Sequence, residues 1–192
     1  MRVAQLQKNG FEVERLPSDA EQHYIRNTPV LVTRMSCDAG NAIEIIDFMP
    51  RFPRHGRMFR PMAIARIVRV ISGSPRISVR LRPAFGWGEG KPVSTSGSNH
   101  IRYILGEQVQ RLTSNAPLGW IRDERMFRAE RDLYFYFGPD EGFDSPLEAT
   151  LESMLDETEE RALVELRRLL FGIALQARGE RVVRVLLAGE GV

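Results

Sequence analysis

Lysine is almost missing from this chain. Lys8 and Lys91 are the only two, and the other 25 basic residues are arginines. Arginine is well suited to phosphate contacts. Here, however, the basic residues are spread along the chain and face 25 acids, for a net charge of +2. The bias is that of a GC-rich gene whose arginines pair with acids, so no nucleic-acid partner is expected. Cysteine is equally scarce: Cys37 stands alone, which excludes an internal disulfide and points to the cytoplasm. The three histidines, His23, His55 and His100, fall on separate expected elements with no HxH or HxxxH spacing, so neither a metal nor a cofactor is expected. No apolar run approaches the ~18–20 residues of a membrane span. The first residues, MRVAQLQKNGFEVERL, lack the apolar core of a signal peptide, so no membrane association is expected. A GxSxG nucleophile elbow is absent too.

What is present is a soluble composition, 43% hydrophobic and 27% charged over 192 residues. That length can bury one core without disulfides or metals. Pro29–Ser36 and Ala42–Met49 are β-branched runs, separated by a loop-forming Cys37-Asp38-Ala39-Gly40-Asn41. Met62–Ser72 is apolar on both faces, as a central strand should be. In Arg76–Arg82 the alternation is clean, with Ile77, Val79 and Leu81 on one face and arginine or serine on the other. Pro83–Asn99 reads as loop. Strands are expected again at His100–Leu105, Gln108–Thr113, Leu118–Arg122, Arg125–Ala129 and Arg131–Phe137. Short strands at this spacing, with no helical pattern between them, predict a mainly β, antiparallel sandwich.

The pattern changes at Asp144-Ser145-Pro146-Leu147-Glu148, a helix start with capping serine, first-turn proline and glutamate. Leu147, Leu151, Met154, Leu155, Thr158, Ala162, Leu166 and Leu169 follow at helical spacing. The expected organisation is a β-sandwich over 1–143, an amphipathic linker helix over 144–171, and a short aberrant or disordered tail over 172–192. The helix needs a surface for its apolar stripe, either the sandwich or another protein.

Few residues carry chemistry. Phe85–Lys91 has the glycines of a phosphate loop, but Pro92 follows Lys91 and no helix comes after it. Asp156, Glu157, Glu159 and Glu160 are the densest acids, and the helical pattern puts them on a solvated face instead of in a catalytic pair. Trp87, Trp120, Tyr134 and Tyr136 are the candidate substrate-binding residues, because a flat ring can cover the apolar face of a pyranose. Core packing competes for aromatics in strands, and glycine-flanked Trp87 should be the most exposed.

Several segments together resemble a known family: HYIRNTPVLVTRM at His23–Met35, NAIEIIDFMPRF at Asn41–Phe52, and GRMFRPMAIARIVRVISGSPRISVRLRPAFGWG at Gly56–Gly88. GSNHIRYI at Gly97–Ile104 and GPDEG at Gly138–Gly142 fit as well. Over residues 20–158 the chain resembles the N-terminal β-sandwich of bacterial glucoamylase/trehalase-like glycoside hydrolases (family 15). The resemblance implies a sandwich of the super-sandwich type, joined by a linker helix to an (α/α)6 barrel. That barrel is the expected partner, with an α-glucan or disaccharide as substrate. The family's two catalytic glutamates belong to the barrel and have no counterpart here, so no catalytic residue is expected. Met1–Phe11 lacks the family's tryptophan and PRFD-like motif, and beyond Thr158 the resemblance ends in an Arg/Leu/Val-rich tail. The expectation is a truncated or split enzyme, its tail translated out of frame.

Overall fold

The computed structural model describes residues 11–13, 19–36, 40–84 and 90–177. Among these described residues thirteen strands and two helices follow in order. They are β1 (Phe11–Val13), β2 (Asp19–Tyr24), β3 (Leu31–Ser36), β4 (Ala42–Phe48), β5 (Phe52–Arg54), β6 (Arg57–Phe59), β7 (Ile64–Ser72) and β8 (Arg76–Val79). After them come β9 (Val93–Ser96), β10 (His100–Leu105), β11 (Gln108–Ser114), helix α1 (Leu118–Arg122), β12 (Phe127–Arg128), β13 (Leu133–Pro139) and helix α2 (Leu147–Ala177).

Eight strands form one antiparallel sheet in the order β2-β3-β4-β7-β13-β11-β10-β9. A second sheet, β1-β8-β12, is also antiparallel, and β5 and β6 make a separate two-stranded ribbon. Strand β7 occupies the middle of the large sheet, between β4 and β13. Its neighbours Ile67 and Val68 are both fully buried, one on each face, which is why this segment shows no polar face in sequence.

Two core layers result. On one face Met35, Ile43, Ile45, Val68, Ile101, Leu112 and Phe135 meet Ile77, Val79 and Phe127 of the three-stranded sheet, closing a sandwich. On the other, Val32, Ile46, Phe48, Ala65, Ile67, Tyr134 and Tyr136 meet Leu151, Met154 and Leu155 of α2. Burying each such helix side chain is worth about 1.5–3 kcal/mol, enough to seat α2 on the sheet. The stripe therefore covers the chain's own sheet as far as Thr158, which is fully buried.

Several local outcomes differ from the sequence pattern, among them strand β9 within the expected loop Pro83–Asn99. Leu118–Arg122 was expected as a strand and forms α1. Five residues are too few to separate a period of two from one of 3.6. Pro117 is the extended residue before the helix, and its carbonyl accepts from Ile121 N–H at 3.2 Å. Strand β12 shortens to Phe127–Arg128. Helix α2 passes through Gly172 to Ala177, since a mid-helix glycine costs only about 1 kcal/mol. Glu148, expected in a capping box, accepts a hydrogen bond from Asn115 Nδ2 at 3.1 Å.

Candidate functional site

Of the three aromatic candidates among the described residues, Trp120 is the one the fold presents to solvent. It lies on α1, a short helix anchored by buried Ile121. Its carbonyl accepts the Arg125 N–H at 2.8 Å, closing the turn that follows. Beneath it, Phe127 of β12 meets the indole edge-to-face, with ring centroids 6.2 Å apart and planes at 80°. The indole is 46% exposed, so one part of the ring is held and the rest faces water. Together Trp120, Met126, Phe127, Arg76, Arg128 and Glu130 border an open groove of about 620 Å³.

The groove is braced by an ion cluster. Glu124, in the left-handed region at φ 53°, closes the connection between α1 and β12. Its carboxylate accepts from Arg82 Nε and Nη2, both at 2.6 Å, and lies 3.6 Å from Arg80 Nε. The hydrogen bonds from Arg82 hold the Glu124 carboxyl below the usual carboxylate range, burial opposes them, and the charges of Arg82 and Arg80 add to them. Rim chemistry is mixed in sign: two guanidinium groups and one carboxylate, with an apolar floor. Such a surface can hydrogen-bond hydroxyls while an indole covers a C–H face.

Tyr134 and Tyr136 are placed differently. Only 8% and 6% exposed, they point from β13 into the layer beneath α2. Tyr134 donates its hydroxyl to Glu152 Oε1 at 2.8 Å, and Tyr136 packs edge-on against Phe143 at 4.9 Å. Neither offers a ring face to a ligand. Trp87 lies outside the described residues.

The sequence pattern missed a polar network around Tyr134. Asn115 Oδ1 accepts the Tyr134 N–H at 2.9 Å, and Asn115 Nδ2 donates to the Asp132 carbonyl and to Glu148. Glu152 in turn bonds Arg69 Nη2 at 2.9 Å. These groups come from residues 69–152, and no spacing rule announces them. Their carboxylates are engaged with structural partners and lie across the large sheet from the Trp120 groove. Asp156, Glu157, Glu159 and Glu160 also lie on α2, with Asp156 and Glu160 exposed and Glu157 and Glu159 half-buried, so no carboxylate pair forms across the groove among the described residues. Among the described residues no group of His, Cys, Asp and Glu side chains could hold a metal ion. No helix among them is long and apolar enough to cross a membrane.

Comparison with protein-family models, with curated proteins and with solved structures yields no match.

Proposed function

We propose that the chain is a non-catalytic β-sandwich domain of a glucoamylase/trehalase-like glycoside hydrolase, serving α-glucoside metabolism in the cytoplasm. The observation that supports this reading best is the order of the architecture. An antiparallel sandwich is followed by one long helix seated on its larger sheet, which is the order that the resemblance implies. The domain's role is to buttress an (α/α)6 barrel and to shape one rim of its sugar pocket. Alone it is expected to release no glucose from maltose, trehalose or malto-oligosaccharides, and release by the pure chain would overturn the non-catalytic reading. The family reading is tested separately, by sequencing the gene beyond the Val192 codon and translating every frame. A barrel there supports it; its absence sinks it.

A second reading, a free-standing carbohydrate-binding module, is favoured by the exposed indole and mixed rim of the Trp120 groove. Trp87→Phe leaves Trp120 as the sole tryptophan. Titration with malto-oligosaccharides should then shift the Trp120 emission, and Arg128→Ala should weaken the response. An unchanged spectrum at saturating sugar rejects this reading.

A further inference from the structure

Between Asp47 and Glu89 the chain contains nine arginines and no acid. The fold disposes of several of them in ion pairs. Arg66 pairs with Asp47, Arg69 with Glu152, and Arg80 and Arg82 with Glu124. The ribbon β5–β6 treats its arginines differently. Its register sets Arg54 directly opposite Arg57 and Phe52 opposite Phe59, so all four side chains share one face. Both arginines are exposed, and no carboxylate among the described residues pairs with either. Arg54 instead lies 5.3 Å above the Phe59 ring. Like charges facing each other across strands destabilise a ribbon, and an anion between them reverses the sign of that term.

The ribbon is stiff enough to present this face. His55 and Gly56 both have positive φ, 51° and 73°, as a two-residue primed turn requires. The Phe52–Phe59 edge contact, at 5.4 Å, clamps the open end. Its base is fixed to the body, because Phe52 packs on the layer beneath α2 and Arg51 N–H donates to Thr158 Oγ1 at 3.1 Å.

A second observation sets the kind of partner. Among the described residues, four of the nine large hydrophobic side chains left exposed lie on this ribbon or close to it in sequence: Met49, Met62 and Ile64 flank it, and Met58 is on the face opposite the arginines. Met62 is 89% exposed. Contacts to a nucleic-acid backbone leave such aliphatic groups in water, whereas a bilayer interface takes apolar side chains into its acyl boundary while phosphates hold the cations above. We propose that the β5–β6 ribbon and its flanking methionines form a docking surface for an anionic membrane, with Arg54 and Arg57 on lipid phosphates and Met62 in the interface. This surface is independent of the glycosidase reading.

The test is flotation of the full chain with vesicles of phosphatidylcholine alone and of equal parts phosphatidylcholine and phosphatidylserine. Binding is expected only to the anionic vesicles and should fall as salt is raised. Arg54→Gln with Arg57→Gln should weaken it by about 25-fold, roughly fivefold per arginine. Met62→Asn, at a side chain almost wholly in water, should weaken it while leaving circular dichroism unchanged. The salt titration of the unmodified chain stands even where a variant folds poorly. Absence of binding to anionic vesicles overturns the proposal, as does binding indifferent to both substitutions. Binding to single- or double-stranded DNA as tight as to the vesicles, and unaffected by Met62→Asn, assigns the ribbon to nucleic acid and overturns it too.

Discussion

The hydroxyl of Thr158 is fully buried and serves two backbones at once. It donates to the Met154 carbonyl one turn earlier, at 2.6 Å, and accepts the Arg51 N–H at 3.1 Å. The second bond crosses 107 residues of sequence and ties the exit of β4 to the helix. Thr158→Val keeps the shape and removes the acceptor, leaving the Arg51 N–H without this partner. Such a loss costs about 1–3 kcal/mol. Urea unfolding should therefore show a lower midpoint at an unchanged slope, with Thr158→Ser recovering most of the loss. Equal stability of the valine and serine variants would mean that the hydroxyl contributes nothing. In sequence Thr158 is legible only as one more position on an amphipathic stripe. Its partner lies in the turn after β4, and no periodicity connects the two.

At the scale of elements, the stripe itself was readable. Leu147, Leu151, Met154, Leu155 and Thr158 share a helical face, and that face is the one seated on the sheet. Leu151 is completely buried, and Leu151→Ala should destabilise the fold by about 2–5 kcal/mol. Ser153→Ala, on the exposed side of the same helix, should stay within about 0.5 kcal/mol. Equal urea midpoints for the two variants would show that α2 does not rest on the sheet. The strands divide by their chemistry. β7 was legible because Ile67 and Val68 leave no polar face, and β8 because Ile77 and Val79 alternate with polar neighbours, although Ser78 is buried as well. α1 was not legible, since Leu118 and Ile121 make only one helical spacing and five residues are too few to establish a period. The groove depends on that local outcome. Trp120 drew notice as an aromatic, but Arg76 comes from a strand 44 residues away, and only strand pairing brings it to the same rim.

Over the whole molecule, scarcity of lysine makes the alkaline limit of stability simple to interpret. The ion pairs formed among the described residues all use arginine, which keeps its charge throughout the accessible range. Three buried tyrosines do change. Burial pushes the phenols of Tyr103, Tyr134 and Tyr136 up to about 12, with the Glu152 carboxylate adding to the effect at Tyr134. In the unfolded chain a tyrosine ionises near 10. Between those values the folded chain holds protons that the unfolded chain has released, so stability falls as pH rises. The contribution is fully present below about pH 10 and is lost through pH 12, at about 1.4 kcal/mol per pH unit for each tyrosine. Three together give about 4 kcal/mol per unit, a large part of the about 5–15 kcal/mol that holds a typical domain folded. Urea midpoints taken from pH 9 to 12, with tyrosinate absorbance followed in parallel, should drop steeply over this window. Tyr103→Phe or Tyr136→Phe should each remove about a third of the slope. A level profile would place the three phenols in contact with water, and with Tyr134 and Tyr136 the β13 face that α2 is seated on. Within that profile Tyr134 and Tyr136 report on the helix–sheet layer, which Thr158 and Leu151 probe only point by point, and Tyr103 reports on the sandwich core.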